Sequence, residues 1–167
     1  RPEGFDMAGR DYLPLGDRAT PRPDREEAMR LCIDMLWDAF GPGDVTWAGF
    51  YLPRGNEMVM GPSCPKPACS PIPLTRICGR AYETASAVIV DDLQALEEGE
   101  FVACDPADRS EIVIPVLESS GEVWGVLDLD SHDVGAFDVE DVKGLMYLLG
   151  KFGLFDRARG NIGVELL

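Results

Sequence analysis

The chain has 167 residues, of which 46% are hydrophobic and 27% are charged, proportions typical of a single globular domain. Its 30 Asp and Glu residues against 15 Lys and Arg residues give a formal net charge of −15 at pH 7, and a negative field of this strength argues against binding to nucleic acids or anionic membranes. No apolar run approaches the roughly 20 residues that cross a bilayer, and residues 1–4 lack the layout of a secretory signal, so we expect a cytoplasmic protein.

The first predicted helix follows a proline-containing arm. Residues 1–23 are predicted to be weakly structured, because prolines recur among glycine and arginine residues. The helix is predicted to begin at Asp24, which has capping-box spacing to Glu27, and to end at Gly41. Its buried face is indicated by apolar side chains at helical spacing: Met29, Cys32, Ile33, Leu36 and Phe40.

The middle of the chain is predicted to contain short strands around one long loop. Five prolines between Gly61 and Thr75 predict a loop without regular structure, and loops of this length are often functional. The elements on either side of it are strands at Val45–Leu52 and Glu57–Met60, a helix near Ile77–Thr84 and a strand at Ala87–Val90.

The second half of the chain contains the two clearest strands, Glu111–Leu117 and Glu122–Asp130, which a turn at residues 119–121 joins as a hairpin. Asp138 and Asp141 predict the start of a last helix. The fold class is therefore α+β, with a central, largely antiparallel sheet and helices from both chain ends packed against it. The predicted boundaries are an arm at 1–23, one domain at 24–153 and a tail at 154–167.

Two acidic side chains on one predicted strand form the first candidate site. Asp128 and Asp130 point to the same face, because strand residues alternate in direction. Aspartate is depleted in strands, and neighbouring carboxylates repel each other. The pair is either a strand end that faces solvent or a site for a cation, which would be a metal ion or an ammonium group.

Two aromatic side chains on the first predicted strand are candidate partners of these carboxylates. Trp47, Gly49 and Tyr51 share one face, and the glycine leaves space between the rings. Aromatic faces attract cations and pack against thioether-like groups, although for the aromatic pair taken alone core packing is the more common explanation. With the acidic strand, they favour a small amphiphilic cation as the ligand.

Cys104 is the candidate reactive thiol among the five cysteines. Asp105 and Pro106 suit the start of a short helical turn, so Cys104 is expected beside its positive end, with Arg109 nearby. Both features favour the thiolate, whereas Asp105 opposes it. The alternative is an ordinary buried thiol.

The other cysteines divide by their surroundings. Cys64 and Cys69 lie in the proline-rich loop and Cys78 begins the next helix, so a loop thiol could exchange with an oxidised Cys104. A structural zinc site is the rival interpretation, but the Cys-x4-Cys-x8-Cys spacing fits tetrahedral sites poorly. Cys32 is assigned to the core, and His132, the only histidine, to a loop.

These stretches, in this order, resemble the free methionine-(R)-sulfoxide reductase family, a branch of the GAF domains. The resemblance covers roughly residues 40–150, and the whole ordered set is far more specific than any single piece. The matching pieces are Trp47–Tyr51, Gly61–Pro62, Lys66–Cys69, Ile77–Gly79, Ala103–Asp105, Arg109–Pro115, Gly125–Ser131 and Phe137–Asp138.

The resemblance implies a GAF fold, commonly in a homodimer, that reduces free methionine sulfoxide without a metal or organic cofactor and is recycled by a thioredoxin-like reductant. By position, it implies that Cys104 is the nucleophile, Cys69 the resolving cysteine and Cys78 a third redox cysteine. It also implies a substrate pocket made of Trp47, Tyr51, Glu111, Asp128 and Asp130.

The sequence departs from the family pattern at two places near the cysteines. Leu74–Arg76 replaces a glycine-rich stretch and is one residue shorter, and Cys64 is an additional thiol. The altered Leu74–Arg76 stretch supports an alternative of a different class, a GAF module that senses a small molecule or dimerises without turnover.

Overall fold

The computed structural model describes residues 9–96, 103–156 and 162–167. Among the described helices, none combines the length and apolar composition that a membrane span needs. A 3-10 turn at Leu93–Ala95 lies between two of the strands. The helices and strands are α1 (Leu13–Arg18), α2 (Arg25–Phe40), β1 (Trp47–Arg54), β2 (Glu57–Cys64), β3 (Ile72–Pro73), α3 (Ile77–Thr84), β4 (Ser86–Val90), β5 (Ser110–Leu117), β6 (Val123–Ser131), α4 (Val139–Lys151) and β7 (Gly163–Leu166).

The strands form one sheet in the order β3-β2-β1-β6-β5-β4-β7. Neighbouring strands are antiparallel except β4 and β7, which are parallel. The prediction of an α+β fold with a largely antiparallel sheet is therefore confirmed. The hairpin of β5 and β6 lies at the centre, and every residue of β5 is buried.

Helices from the two ends of the chain cover one face of this sheet. Ile33 of α2 and Leu145 of α4 are fully buried in a core that includes Leu127 of β6. Alternate strand residues, such as Val113 and Val126, point to the opposite face and pack with side chains of α3. The predicted packing is confirmed, and the second face is left to α3 and the proline-rich segment.

Side-chain caps fix the starts of the two long helices. Asp24 accepts a hydrogen bond from the backbone of Glu26 at 3.0 Å. At α4, Asp138 accepts from the Asp141 backbone at 3.2 Å, and the Asp141 carboxylate accepts from the Asp138 backbone at 2.9 Å. This reciprocal pair satisfies two helix-end donors, so α4 begins where the sequence predicts it.

The segment before Asp24 is more ordered than its prolines suggest. Residues 9–23 include α1, and the side chains of Tyr12 and Leu15 are buried against α4. Tyr12 donates a hydrogen bond to Asp141 at 2.7 Å, and Arg10 donates to the same carboxylate at 2.9 Å. The expectation of a weakly structured arm is therefore corrected here, since contacts with distant residues supply the order; residues 1–8 of that arm lie outside the described residues.

The segment after residue 153 also contributes to the sheet. Gly163–Leu166 forms β7, which pairs in parallel with β4 through Ala87 and Val164. Arg80 of α3 donates a hydrogen bond to Glu165 at 2.8 Å. A strand of four residues is too short for alternation to reveal it, so the expected tail is corrected to an edge strand over this part.

The predicted long loop is shorter than expected, because β2 continues to Cys64. The register between β1 and β2 shifts between the Gly49–Ser63 pair and the Tyr51–Met60 pair. Pro62 lies within this bulge, where a residue without an N–H group interrupts no regular ladder bond. The bulge explains how a strand contains a proline that sequence reasoning assigned to a loop.

Helix α3 packs closely against the segment that precedes it, and this contact fixes which residues of the helix face the pocket. Gly79 lies against the Leu74 backbone, and a Cβ atom at Gly79 would clash with it. Cys78, the neighbouring residue, is therefore held in the core cluster on the second face of the sheet. Ile77 and Arg76 at the start of the helix line the same pocket.

Candidate active site

Strand register places three carboxylates together on the second face of the sheet. Asp130 of β6 pairs with Glu111 of β5 on one side and with Trp47 of β1 on the other. Asp128, two residues earlier, faces the same way. The Asp128 side chain lies close enough to those of Glu111 and Asp130 for their charges to raise its pKa. The structure thus brings together the three acids that the sequence predicted for the substrate pocket.

Burial keeps protons on this cluster. It raises the pKa of Glu111 to about 7 and that of Asp108, a further pocket residue, to about 6. The pKa values of Asp128 and Asp130 lie well above their usual range. Burial is the largest cause for both residues, and repulsion by neighbouring carboxylates is the next. Near neutral pH the free protein therefore holds several of these groups as neutral acids, which a bound cation would convert to carboxylates.

Asp128 also presents an unsatisfied acceptor. Asp128 is only 5% exposed, and its Oδ1 atom has no hydrogen-bond partner among the described residues. Buried polar atoms are normally paired, so this atom points to a ligand that donates hydrogen bonds or carries positive charge. The alternative of a strand end that faces solvent is therefore wrong for Asp128.

The two aromatic residues of β1 connect the carboxylates to the cysteine-bearing segment. Trp47 and Tyr51 are buried, with ring centroids 6.0 Å apart and planes tilted by 36°. The Trp47 indole N–H donates to the backbone oxygen of Lys66 at 2.8 Å. The Tyr51 hydroxyl donates to the backbone oxygen of Cys69 at 2.7 Å. Side chains of the expected substrate pocket therefore also hold Cys69 in place.

Cys104 lies beside Cys69, and the two thiols interact. Both residues line the outer of the two cavities described below. Burial and the Cys69 thiol raise the pKa of Cys104 to about 12, although Arg76 acts in the opposite direction. In the free protein Cys104 is therefore a thiol rather than a thiolate, and its reaction requires that a ligand or a neighbouring group remove the proton.

This protonation corrects the sequence-based expectation of a favoured thiolate. The backbone after Cys104 forms a turn in which Asp105 accepts from the Ala107 N–H at 2.9 Å, and not the expected helical turn. Arg109 donates to Asp92 at 3.0 and 3.1 Å, which directs its charge to Asp92. The favourable features that the sequence suggested are thus absent or engaged elsewhere, and the preceding pair Phe101–Val102 lies outside the described residues.

The remaining three cysteines have distinct surroundings. Cys78 is buried with its sulfur within 4.8 Å of an Asp128 carboxylate oxygen, and burial raises its pKa well above the usual range. Cys32 is fully buried on α2, as the helical spacing predicts. Cys64 interacts with Asp34 at 3.8 Å and lines neither cavity described below.

Three residues that sequence reasoning did not select also belong to this region. Arg76 and the buried Asp108 line the pocket with Cys104. His132 lies 3.6 Å from Asp108 and 3.2 Å from Asp105, at the exposed edge. Asp108 precedes β5 and carries no periodic signal, so only its burial against the cavity reveals it.

Two adjoining cavities meet at Cys104. The inner cavity, of about 40 Å³, extends between Tyr51 and the carboxylates, and the outer cavity, of about 350 Å³, extends along Trp47 to Cys69. Ala68, Asp108 and Asp130 line both cavities, as does Cys104. The inner space holds only a few water molecules, so a ligand of amino-acid size must extend from one cavity into the other.

The protonated cluster predicts a pH-dependent effect of Asp128→Asn on the unbound protein. Carboxyl groups whose pKa is raised on folding stabilise the native state below their unfolded pKa, near 4, and this contribution is lost as the pH rises through the folded value, about 7 for Glu111. Asparagine cannot ionise, so the variant is expected to become more stable than the wild type by about 1–3 kcal/mol at roughly pH 8, with little difference at about pH 4 or below.

Urea unfolding of both proteins across this pH range measures the effect. The exposed helix residue Asp38 provides a matched control, since Asp38→Asn also removes one carboxylate. A stability difference for Asp128→Asn that stays constant with pH would contradict the assignment of protons to the cluster.

Comparison with known proteins identifies the fold and the family. Residues 23–154 match the family model described as GAF domain. The free methionine-R-sulfoxide reductase of Escherichia coli is 38% identical over 109 residues, which cover 65% of this chain and 64% of that enzyme. The chain therefore spans slightly less than two thirds of the length of this curated relative.

Two solved structures have the same fold. The free methionine-R-sulfoxide reductase of Neisseria meningitidis, solved in complex with its substrate, is 30% identical with a TM-score of 0.69, covering 88% of this chain and 87% of that chain. A Burkholderia vietnamiensis protein described as a candidate GAF sensor is 34% identical with a TM-score of 0.74, covering 84% and 90% of the two chains. The chain belongs to the GAF domain family and, within it, to the free methionine-R-sulfoxide reductase family.

Proposed function

We propose that the protein reduces free methionine-(R)-sulfoxide to methionine, with Cys104 as the nucleophile. The observation that carries the proposal is the position of Cys104 between a second thiol, Cys69, and a pocket of buried acids. The names of the Escherichia coli and Neisseria meningitidis relatives support the same substrate.

The pocket supplies groups that match each part of methionine sulfoxide. Its ammonium group is assigned to the buried carboxylates, including the unpartnered Oδ1 atom of Asp128. Charge-assisted hydrogen bonds of this kind are stronger than neutral ones, and they are stronger still where water is excluded. The side chain with its sulfoxide is assigned to the space beside Tyr51 and Trp47, where aromatic rings pack against methyl and sulfur groups.

The chemical step transfers the sulfoxide oxygen to Cys104. The sulfur of Cys104 attacks the sulfoxide sulfur, the oxygen accepts protons, and methionine leaves with two more electrons while Cys104 becomes a sulfenic acid. Glu111 or Asp128 is assigned as the proton donor, because both retain protons near neutral pH in the free protein. The same proton transfer leaves a negative charge that balances the substrate ammonium.

Cys69 then resolves the sulfenic acid. Its thiol attacks the Cys104 sulfur, water leaves, and a Cys69–Cys104 disulfide stores the two oxidising equivalents. The position of both thiols on the same cavity supports this pairing. Cys78 is assigned the secondary redox role. Its burial beside Asp128 limits how readily it reacts.

An external dithiol, of the thioredoxin type, is proposed to reopen the disulfide. Cys69 is exposed and lines the outer cavity, so such a reductant has access to its sulfur. Homodimer formation and a cytoplasmic location are further parts of the proposal. They rest on the family resemblance and on the number of unpaired thiols.

A cysteine series tests the redox roles. Cys104→Ser is expected to abolish even the first turnover, because no nucleophile remains. Cys69→Ser is expected to release about one methionine per chain and then stop at the sulfenic acid, unless Cys78 or Cys64 replaces it. The measurement is methionine released from methionine-(R)-sulfoxide, first without and then with a dithiol reductant.

The control in this series is Cys32→Ser, which lies in the core of α2 and should change stability but not turnover. A full first turnover by Cys104→Ser would overturn the assigned nucleophile. Sustained turnover by a triple variant, Cys64→Ser with Cys69→Ser and Cys78→Ser, would overturn the assigned resolving role.

A second comparison tests the ammonium assignment. Asp128→Asn is expected to weaken binding of methionine sulfoxide by about 10- to 100-fold, because a charge-assisted contact of about 1.5–3 kcal/mol is lost. The analogue without the amino group, 4-(methylsulfinyl)butanoate, has no ammonium and should be weakened far less. Calorimetric titration of Cys104→Ser protein, with and without Asp128→Asn, measures both ligands without turnover, and equal weakening would contradict the assignment.

A GAF sensing module without turnover is the second candidate function. Two observations favour it: the Burkholderia vietnamiensis relative and the raised pKa of Cys104, which a pure binding protein would tolerate. Turnover separates the candidates. Tight binding of methionine sulfoxide by the wild type, with no methionine formed under reducing conditions, would establish the sensor and remove the enzyme.

A further inference from the structure

We propose that the floor of the inner cavity binds a thiophilic divalent cation such as Zn²⁺, through the sulfur of Cys78 and carboxylate oxygens of Glu111 and Asp128. Potential ligand atoms of these three residues all lie within 4.8 Å of one another. Binding displaces the Cys78 thiol proton and the carboxyl protons into solvent, and no electron is transferred.

The three ligands come from rigid, neighbouring elements. Glu111 and Asp128 lie on the paired strands β5 and β6, and Cys78 lies in the first turn of α3. Ligand atoms around a tetrahedral Zn²⁺ at about 2.0–2.3 Å are separated by about 3.5 Å, so small side-chain rotations suffice to close the site. The close contact between Gly79 and Leu74 limits movement of the helix and keeps Cys78 near the strands.

An independent observation indicates that this cluster awaits a ligand. The Oδ1 atom of Asp128 is buried and unpartnered among the described residues, and Asp128 lines the same cavity. An ammonium ion would satisfy this oxygen but would gain little from the thiol beside it. A thiophilic cation uses both donors, and the excess of acidic groups over the nearby Arg76 favours double positive charge.

The donor set also indicates which metals are accepted. One sulfur and two carboxylates suit zinc and cadmium, whereas Mg²⁺ and Ca²⁺ require more oxygen ligands and do not favour thiolates. The fourth position would face the cavity. Metal and substrate would then compete for Asp128, a consequence that rests on the proposed function, whereas metal binding itself does not.

Cadmium is the most direct probe, because a cadmium–thiolate bond absorbs in the ultraviolet. The other reactive thiols are removed first in a chain with Cys64→Ser, Cys69→Ser and Cys104→Ser, which leaves the buried Cys32 and Cys78. We expect one Cd²⁺ per chain with a thiolate absorption band, displaced by Zn²⁺ and unaffected by excess Mg²⁺. Adding Asp128→Asn to this chain should weaken Cd²⁺ binding by about tenfold or more, since loss of even a residue that only supports a ligand often costs this much.

The matched variants are Cys78→Ser and Cys32→Ser in the same chain, with folding checked by circular dichroism. Loss of the band with Cys78→Ser and its retention with Cys32→Ser support the site. Absence of the band in the parent chain, its survival in Cys78→Ser, or an unchanged affinity in Asp128→Asn overturns it. These outcomes do not depend on reductase activity, which is measured separately on wild-type protein in the presence of a chelator.

Discussion

Three neighbouring carboxylates on β5 and β6, the buried Glu111 and Asp128 and the half-buried Asp130, determine the chemistry of the whole pocket. Water does not screen their mutual repulsion there, so the protein relieves it by retaining protons, and the pKa of Glu111 lies at about 7. Such a cluster destabilises the unbound fold near neutral pH. Its value is in the bound state, where a substrate cation replaces the protons and restores the charge balance.

The same electrostatic setting governs the nucleophile. A thiol beside Cys69 and close to acids is a poor thiolate, and the pKa of Cys104 is raised to about 12. A protonated resting state protects Cys104 from indiscriminate oxidation, because thiolates react far faster than thiols. In this account the substrate prepares its own reduction: the ammonium displaces part of the cluster's protons, and a proton that the cluster retains is available to the sulfoxide oxygen.

Strand periodicity accounts for what could be predicted from the sequence, and long-range contacts account for what could not. The alternation that places Asp128 beside Asp130, and Trp47 beside Tyr51, is visible in a single strand. The pairing of Asp130 with Glu111 also follows from the short hairpin between their strands. By contrast, Arg109 is engaged by Asp92, seventeen residues away, and nothing local announces this ion pair.

Tertiary contacts likewise explain the missed secondary structure. Tyr12 contacts Asp141 across a separation of 129 residues, which orders a segment whose own composition suggests none. The bulge opposite Pro62 depends on the partner strand β1 in the same way. Asp108 was missed because its role comes from burial against the cavity rather than from any spacing in the sequence.

The central claim, that the acid cluster exchanges its protons for a substrate cation, is tested most directly by counting protons on binding. Methionine-(R)-sulfoxide is titrated calorimetrically at about pH 7 into Cys104→Ser protein, in buffers that differ in ionisation enthalpy. The dependence of the heat on the buffer gives the number of protons exchanged per ligand. The account predicts the release of about one proton or more, because the ammonium lowers the pKa of groups such as Glu111, which lies at about 7 in the free protein. Proton uptake, or no exchange together with tight binding, would contradict it.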